Sequence, residues 1–118
     1  MQVSKKSVNK SLEKEVFEIL YQTIVDIKTT KEAKLFLEDV LGKNESLVLA
    51  KRLAVAYYLA NNRSYENIKQ NLKVSSATIS SIDKARKNLG YKIALQKIEA
   101  DKWATEWAKR LNNLFGKK

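Results

Sequence analysis

The sequence predicts an all-α protein of about six helices, the last of them long. Two observations carry this expectation. The chain has no proline and only three glycines (Gly42, Gly90 and Gly116) in 118 residues that are otherwise rich in Lys, Leu, Ala and Glu. Almost nothing therefore interrupts an i→i−4 hydrogen-bond ladder. Apolar residues also recur at spacings of three and four along most of the chain, the period of an amphipathic helix. A length of 118 residues suits a single domain, expected over 11–118, which buries about two-thirds of the surface its unfolded chain exposes.

Each element follows from its own residues. The basic stretch 1–10 holds three lysines and no apolar run, so it is expected to be disordered and is not a signal peptide. Ser11 is expected to cap a first helix of about 12–28, whose apolar face is Leu12, Val16, Ile19, Leu20, Ile24 and Ile27. Thr30 is expected to cap a second, with Ala33, Phe36, Leu37, Val40 and Leu41 on one side and Gly42 at the C′ position. Asn44 is expected to cap a third, about 45–60, burying Val48, Leu49, Leu53, Ala56 and Tyr57. Asn61 and Asn62 break the pattern, since asparagine tolerates the left-handed backbone of a turn.

Ser64 then caps a short fourth helix to about Asn71, and Ser75 a fifth that runs to about Asn88, where Leu89-Gly90 stops it. The remainder, Tyr91 to about Phe115, reads as one long helix with Trp103, Trp107, Leu111 and Leu114 along a side. The two tryptophans suit a packing stripe for core or dimer, with a base-stacking or partner surface as the alternative.

Composition narrows the function. The chain has neither cysteine nor histidine, which removes the commonest zinc ligands, the commonest general base and the Cys–His and Ser–His nucleophile pairs. No paired carboxylates stand out, so binding is favoured over catalysis and no cofactor or metal is expected. No apolar run approaches the length of a membrane span, and a cytoplasmic, nucleoid-associated protein is expected. The net charge is +10, unevenly spread. Residues 11–50 carry five Lys or Arg against eight Asp or Glu, a balance of −3. Residues 63–92 carry seven cations against Glu66 and Asp83, a balance of +5. A basic segment on a mixed chain is what phosphate neutralisation requires.

Two capped helices separated by three residues form the core of a helix-turn-helix, here about 64–88. Ile68, Leu72, Val74, Ile79 and Ile82 fall where the two helices must pack on each other and on a supporting helix. Around the start of the second helix stand Ser75, Ser76, Ala77, Thr78, Ser80 and Ser81, all small or hydroxylated. Small side chains let a helix sink into the major groove, and hydroxyls bond bases or phosphates. Lys84, Arg86 and Lys87 follow on that helix, while Lys69 and Lys73 lie on the first helix and in the turn. These eleven residues are the expected DNA-binding set. Lys73 stands where many such turns carry glycine, at a cost of about 1 kcal/mol for the left-handed conformation.

The run Leu41-Gly42, Glu45 and Leu49-Ala50-Lys51-Arg52-Leu53, followed by Ser64-Tyr65-Glu66-Asn67-Ile68 and Val74-Ser75-Ser76-Ala77-Thr78-Ile79-Ser80, resembles the Trp repressor superfamily, most closely its YerC/YecD subgroup. The likeness covers about residues 12–95. It implies a helical DNA-binding fold and an intertwined homodimer on double-stranded DNA. It also implies a backbone contact for Lys69 and groove-facing positions for Ser76, Ala77 and Ser80. Glu66 departs from the pattern, standing where the repressor has a cation. Of the two arginines that sandwich the repressor's indole, Arg52 matches the first, but Ser81 takes the place of the second and Ile82 that of the neighbouring glycine. The resemblance thus implies no tryptophan corepressor, and a structural or phosphate contact for Arg52.

The expected function is a transcriptional regulator, a repressor, that reads a two-fold site as a dimer. Alternatives are a non-specific architectural or RNA-binding protein, a helical protein-interaction adaptor, and the DNA-targeting half of a recombinase.

Overall fold

A computed structural model of the chain describes residues 9–114, and the expectation for the stretch before Asn9 lies outside them. Six helices and no strand occur among the described residues: α1 (Lys10–Asp26), α2 (Thr30–Leu41), α3 (Lys43–Ala60), α4 (Tyr65–Leu72), α5 (Ser76–Ala85) and α6 (Leu89–Leu114). The all-α expectation holds. Backbone contacts divide the chain into two compact units, Met1–Ser46 and Leu47–Lys118.

In the first unit, α1 starts earlier than expected. Asn9, not Ser11, is the cap: its side-chain oxygen accepts the amides of Ser11 at 2.8 Å and Leu12 at 3.4 Å, and its carbonyl accepts that of Glu13 at 2.8 Å. Asn9 and Lys10 are therefore ordered parts of α1, which corrects the expected disorder at those two positions. At α2 the cap is Thr29 instead of Thr30. Thr29 Oγ1 accepts the Glu32 amide at 3.1 Å while Glu32 Oε1 accepts that of Lys28 at 3.4 Å, a reciprocal pairing close to a capping box. Gly42 closes α2 at φ 93°, in the region glycine enters without a Cβ clash. Its carbonyl also accepts the Ser46 amide at 3.0 Å, so α3 begins at Lys43 and Asn44 lies inside it. Neither α1 nor α2 buries a residue. Phe17, Tyr21 and Ile24 of α1 and Leu35 and Val40 of α2 all face outward.

The second unit holds the core. Val55, Ala56 and Leu59 of α3 pack with Ile68 of α4 and Ile79 and Ile82 of α5. Tyr58, Leu72, Val74, Tyr91 and Leu95 close over that cluster. All five apolar positions read as holding the helix pair together thus belong to the core or its cover. The buried face of α3 differs from the expected one. Ala56 is buried and Leu53 and Tyr57 half-buried, but Val48 and Leu49 are exposed. Apolar residues surround α3 on most sides, so the period alone leaves its inner face undetermined, and α4 and α5 select Val55, Ala56 and Leu59.

α5 ends at Ala85, short of the expected Asn88, and a turn over Arg86–Asn88 leads directly into α6. The Asn88 carbonyl accepts the Lys92 amide at 3.1 Å. Gly90 therefore sits in the first turn of α6 and does not stop α5, because two residues from a helix start its missing side chain costs little packing. No helix among the described residues is long and apolar enough to cross a membrane.

Candidate nucleic-acid interface

The helix-turn-helix is fixed by its caps. Ser64 Oγ accepts the Asn67 amide at 3.1 Å at the start of α4. Ser75 Oγ accepts the Thr78 amide at 3.1 Å at the start of α5 and lies 3.0 Å from Thr78 Oγ1, to which it donates. Such caps satisfy amides that the first turn leaves without an intrahelical partner. Between the helices Lys73 is left-handed, φ 55° and ψ 54°. That conformation turns the chain sharply enough to lay Ile79 against Ile68. Asn62, at φ 63°, makes the corresponding turn before α4.

A polar clamp locks the outer side of the pair. Tyr65 Oη donates to Asp83 Oδ2 at 2.9 Å, and Arg86 Nε donates to Asp83 Oδ1 at 2.9 Å. The Arg86 hydrogen bond, then that of Tyr65, holds the Asp83 carboxyl below its ordinary value. The Asp83 hydrogen bond pushes the Tyr65 phenol up, opposed by the Ser80 hydroxyl and the Arg86 charge.

The eleven expected residues separate into groups. Ala77, Ser80, Ser81 and Lys84 line one shallow depression of about 590 Å³ on the outer face of α5, together with Ala85 and Asn88. Ser76 and Ala77 are exposed at the first turn of α5, where the positive end of the helix dipole faces solvent. Lys73, Ser75 and Thr78 share a second groove of about 330 Å³ with Val48, Lys51, Arg52, Val55 and Val74. Arg86 and Lys87 border a third hollow with Lys92, Leu95 and Gln96. Lys69 stands apart on α4, half-buried.

Three of these side chains already have internal partners: Ser75 serves its cap and donates to the Thr78 hydroxyl, and Arg86 is paired with Asp83. Arg63, counted in the basic segment, stacks over the Tyr58 ring at 4.1 Å and donates to Asn67 Oδ1 at 3.2 Å. Its charge is thereby tied to the start of α4. Sequence reasoning missed Lys51 and Lys92 as neighbours of the set. Lys51 adjoins Arg52, and Lys92 follows the α5–α6 turn, but only the fold brings them beside Lys73 and Lys87. Ser81 lies on the outer depression, away from the groove that Arg52 lines, and Ile82 is buried in the core.

The family model described as Trp repressor protein matches residues 15–99, most of the chain. The chain belongs to the Trp repressor family. Within that family it is 32% identical over 82 residues to the uncharacterized protein YerC of Bacillus subtilis, a match covering 68% of this chain and 79% of YerC. The crystal structure of a TrpR-like protein from Eubacterium eligens superposes with a TM-score of 0.69 at 34% identity, covering 77% of this chain and 96% of that one. The Trp-repressor-like fold and the YerC likeness thus agree with the resemblance read from the sequence, and the family is one of DNA-binding regulators.

Proposed function

We propose that this Trp repressor family member is a sequence-specific transcriptional regulator, a repressor, that binds two-fold sites on double-stranded DNA as a homodimer. The observation that carries the reading is the outer face of α5. Ala77, Ser80 and Ser81 are small and line one depression with Lys84, on a helix whose opposite face is fixed by Ile79 and Ile82 in the core. Small residues admit the helix to the major groove, Ser76 and Ser80 offer hydroxyls to base edges, and the helix N-terminus takes a phosphate. Lys69, Lys73, Lys84 and Lys87 supply sequence-independent attraction to the backbone. Arg86 contributes by holding α5 in place.

The apolar surfaces support the dimer. α1 buries nothing, and Leu12, Val16, Phe17, Tyr21 and Ile24 are exposed on it. Large apolar side chains left exposed in this number on one helix call for a partner. A two-fold dimer sets its recognition helices about 34 Å apart, one DNA turn. Tryptophan is not the corepressor in this reading, because Arg52 lacks a second guanidinium opposite it and Ile82 occupies core space. The protein acts by binding, not by catalysis, as a single domain in the cytoplasm at the nucleoid.

Selection of bound sequences from random duplex DNA, with the winner titrated at two salt concentrations, tests the reading. A palindromic motif preferred about 1,000-fold or more over random DNA is the expected result. Binding without a motif would replace the regulator with an architectural protein, and failure to bind DNA would favour an adaptor.

A further inference from the structure

The family match ends at residue 99, but α6 continues to Leu114. Every residue from Glu99 to Leu114 is exposed. Ala100, Trp103, Trp107, Leu111 and Leu114 recur at spacings of three and four, and at about 100° per residue they occupy an arc of roughly 80° on the helix. Trp103 and Trp107 pack edge to face, ring centroids 5.5 Å apart at 61°. The pair forms a ready ridge, since two rings already in contact lose little further freedom when a surface closes on them.

The charges beside this ridge say what covers it. Glu99 and Arg110 stand on the same flank of the stripe, close to three full turns apart, while Glu106 on that flank is set about 20° further from the stripe than Glu99. Neither Glu99 nor Arg110 forms an ion pair among the described residues. Like flanks of two helices face each other when the helices run antiparallel, and opposite flanks when they run parallel. In an antiparallel pair centred near Thr105, Trp103 meets Trp107 of the partner subunit. Glu99 then falls within about one residue rise, ~1.5 Å along the axis, of Arg110 of the partner subunit. Two-fold symmetry forms that ion pair twice. The same register sets the small Ala100 beside Leu111 of the partner subunit, so large and small side chains interdigitate. A parallel pair would instead bring Arg110 to the flank that carries Ala104 and Ala108, with no carboxylate near its level.

We propose that the C-terminal half of α6 is a self-association surface, on which a second copy of this chain docks antiparallel through Trp103 and Trp107 and is held in register by Glu99 and Arg110. Trp103, Trp107 and Arg110 lie beyond the family match, which ends at Glu99, and the surface does not depend on the regulator reading.

Sedimentation equilibrium of the full chain tests it. Trp103→Glu with Trp107→Glu is expected to weaken self-association about tenfold or more, as loss of a central aromatic anchor does. Arg110→Glu or Glu99→Arg alone should weaken it about three- to tenfold, and Glu99→Arg with Arg110→Glu together should restore the original constant. Circular dichroism confirms folding of each variant. A tryptophan variant that associates like the original, or a double charge exchange that fails to restore association, would overturn the proposal. DNA binding is titrated separately, so loss of the regulator reading would leave this interface to stand or fall by its own measurement.

Discussion

Tyr65 Oη and Asp83 Oδ2, eighteen residues apart in sequence and on different helices, meet at 2.9 Å across the α4–α5 pair. The same carboxylate receives Arg86 Nε, so one acidic residue in a basic segment orients both the first helix and the end of the second. The arrangement explains why Asp83 stands among cations: without it, Lys84, Arg86 and Lys87 would repel one another along one short stretch with no internal anchor.

The clamp makes stability respond to pH at both extremes. The Asp83 pKa is depressed in the fold, by Arg86 first and Tyr65 second. Its contribution is complete above the ordinary value of 3.8 and is lost as pH falls through the lower folded value. The Tyr65 pKa is raised, chiefly by its hydrogen bond to Asp83. Its contribution is complete below 10.0 and is lost as pH rises through the higher folded value. Between these limits the clamp adds no pH dependence. Asp83→Asn should shrink the acid limb of the melting-temperature profile and bring the Tyr65 phenolate titration back toward 10.0, read as the ultraviolet difference from Tyr65→Phe. An unmoved titration would show that Asp83 does not govern Tyr65.

Ile79 is fully buried between α3, α4 and α5. Ile79→Ala should cost about 2–5 kcal/mol, the transfer of the deleted groups plus the cavity they leave. Ser81→Ala, on the exposed side of the same helix, should stay within about 0.5 kcal/mol. Urea denaturation of the two variants separates them, and equal losses would place the core elsewhere.

The helix-turn-helix was legible because its code is local. The Ser64 and Ser75 hydroxyls each reach an amide three residues on, and Ile68, Leu72, Val74, Ile79 and Ile82 fall at fixed distances from those caps. The first helix was harder to bound, since Asn9 and Ser11 are both good caps two residues apart and the backbone carbonyl pairing decides between them. The inner face of α3 was not legible, because Val48, Leu49, Val55 and Leu59 offer competing stripes that only neighbouring helices resolve. The break after Ala85 was missed for a related reason. No proline or turn glycine marks Arg86–Asn88, and Gly90 lies beyond it, inside α6. Within the candidate site, the groove shared by Arg52 and Lys73 depends on α3 and the turn converging, which no spacing along the chain encodes.

Lys73 occupies a left-handed conformation that costs an L-residue with a Cβ about 1–2 kcal/mol. Glycine relieves that strain but enlarges the unfolded ensemble, which returns about 0.4–1 kcal/mol. Lys73→Gly should therefore be neutral to about 1.6 kcal/mol stabilising, whereas β-branched Lys73→Val should destabilise the fold. Guanidinium melts decide between them. A clear loss of stability in the glycine variant would mean that the Lys73 side chain contributes packing that outweighs its strain.

Ser76 and Ser80 are on α5, the first exposed and the second half-buried beside Tyr65. Ser76→Glu with Ser80→Glu sets two carboxylates where the proposed major-groove contact brings base edges and phosphates. The folded double variant is expected to lose binding to the selected site altogether, since charge repulsion and steric bulk act at the point of closest approach. Electrophoretic mobility shift, with circular dichroism as the folding control, reads the outcome. Normal binding by the folded variant would move the recognition surface off α5.

Lys69 should behave differently, because a phosphate contact carries no sequence information. It lies on α4, outside the depression formed by Ala77, Ser80, Ser81 and Lys84. Lys69→Ala is expected to weaken binding to the selected site and to unrelated duplexes by the same factor. It should also reduce the slope of log K against log salt by about one, the release of one counterion fewer. Titrations at several salt concentrations on both duplexes measure the two quantities together. A loss confined to the selected site would make Lys69 a base-reading residue, and an unchanged slope would take it out of the interface.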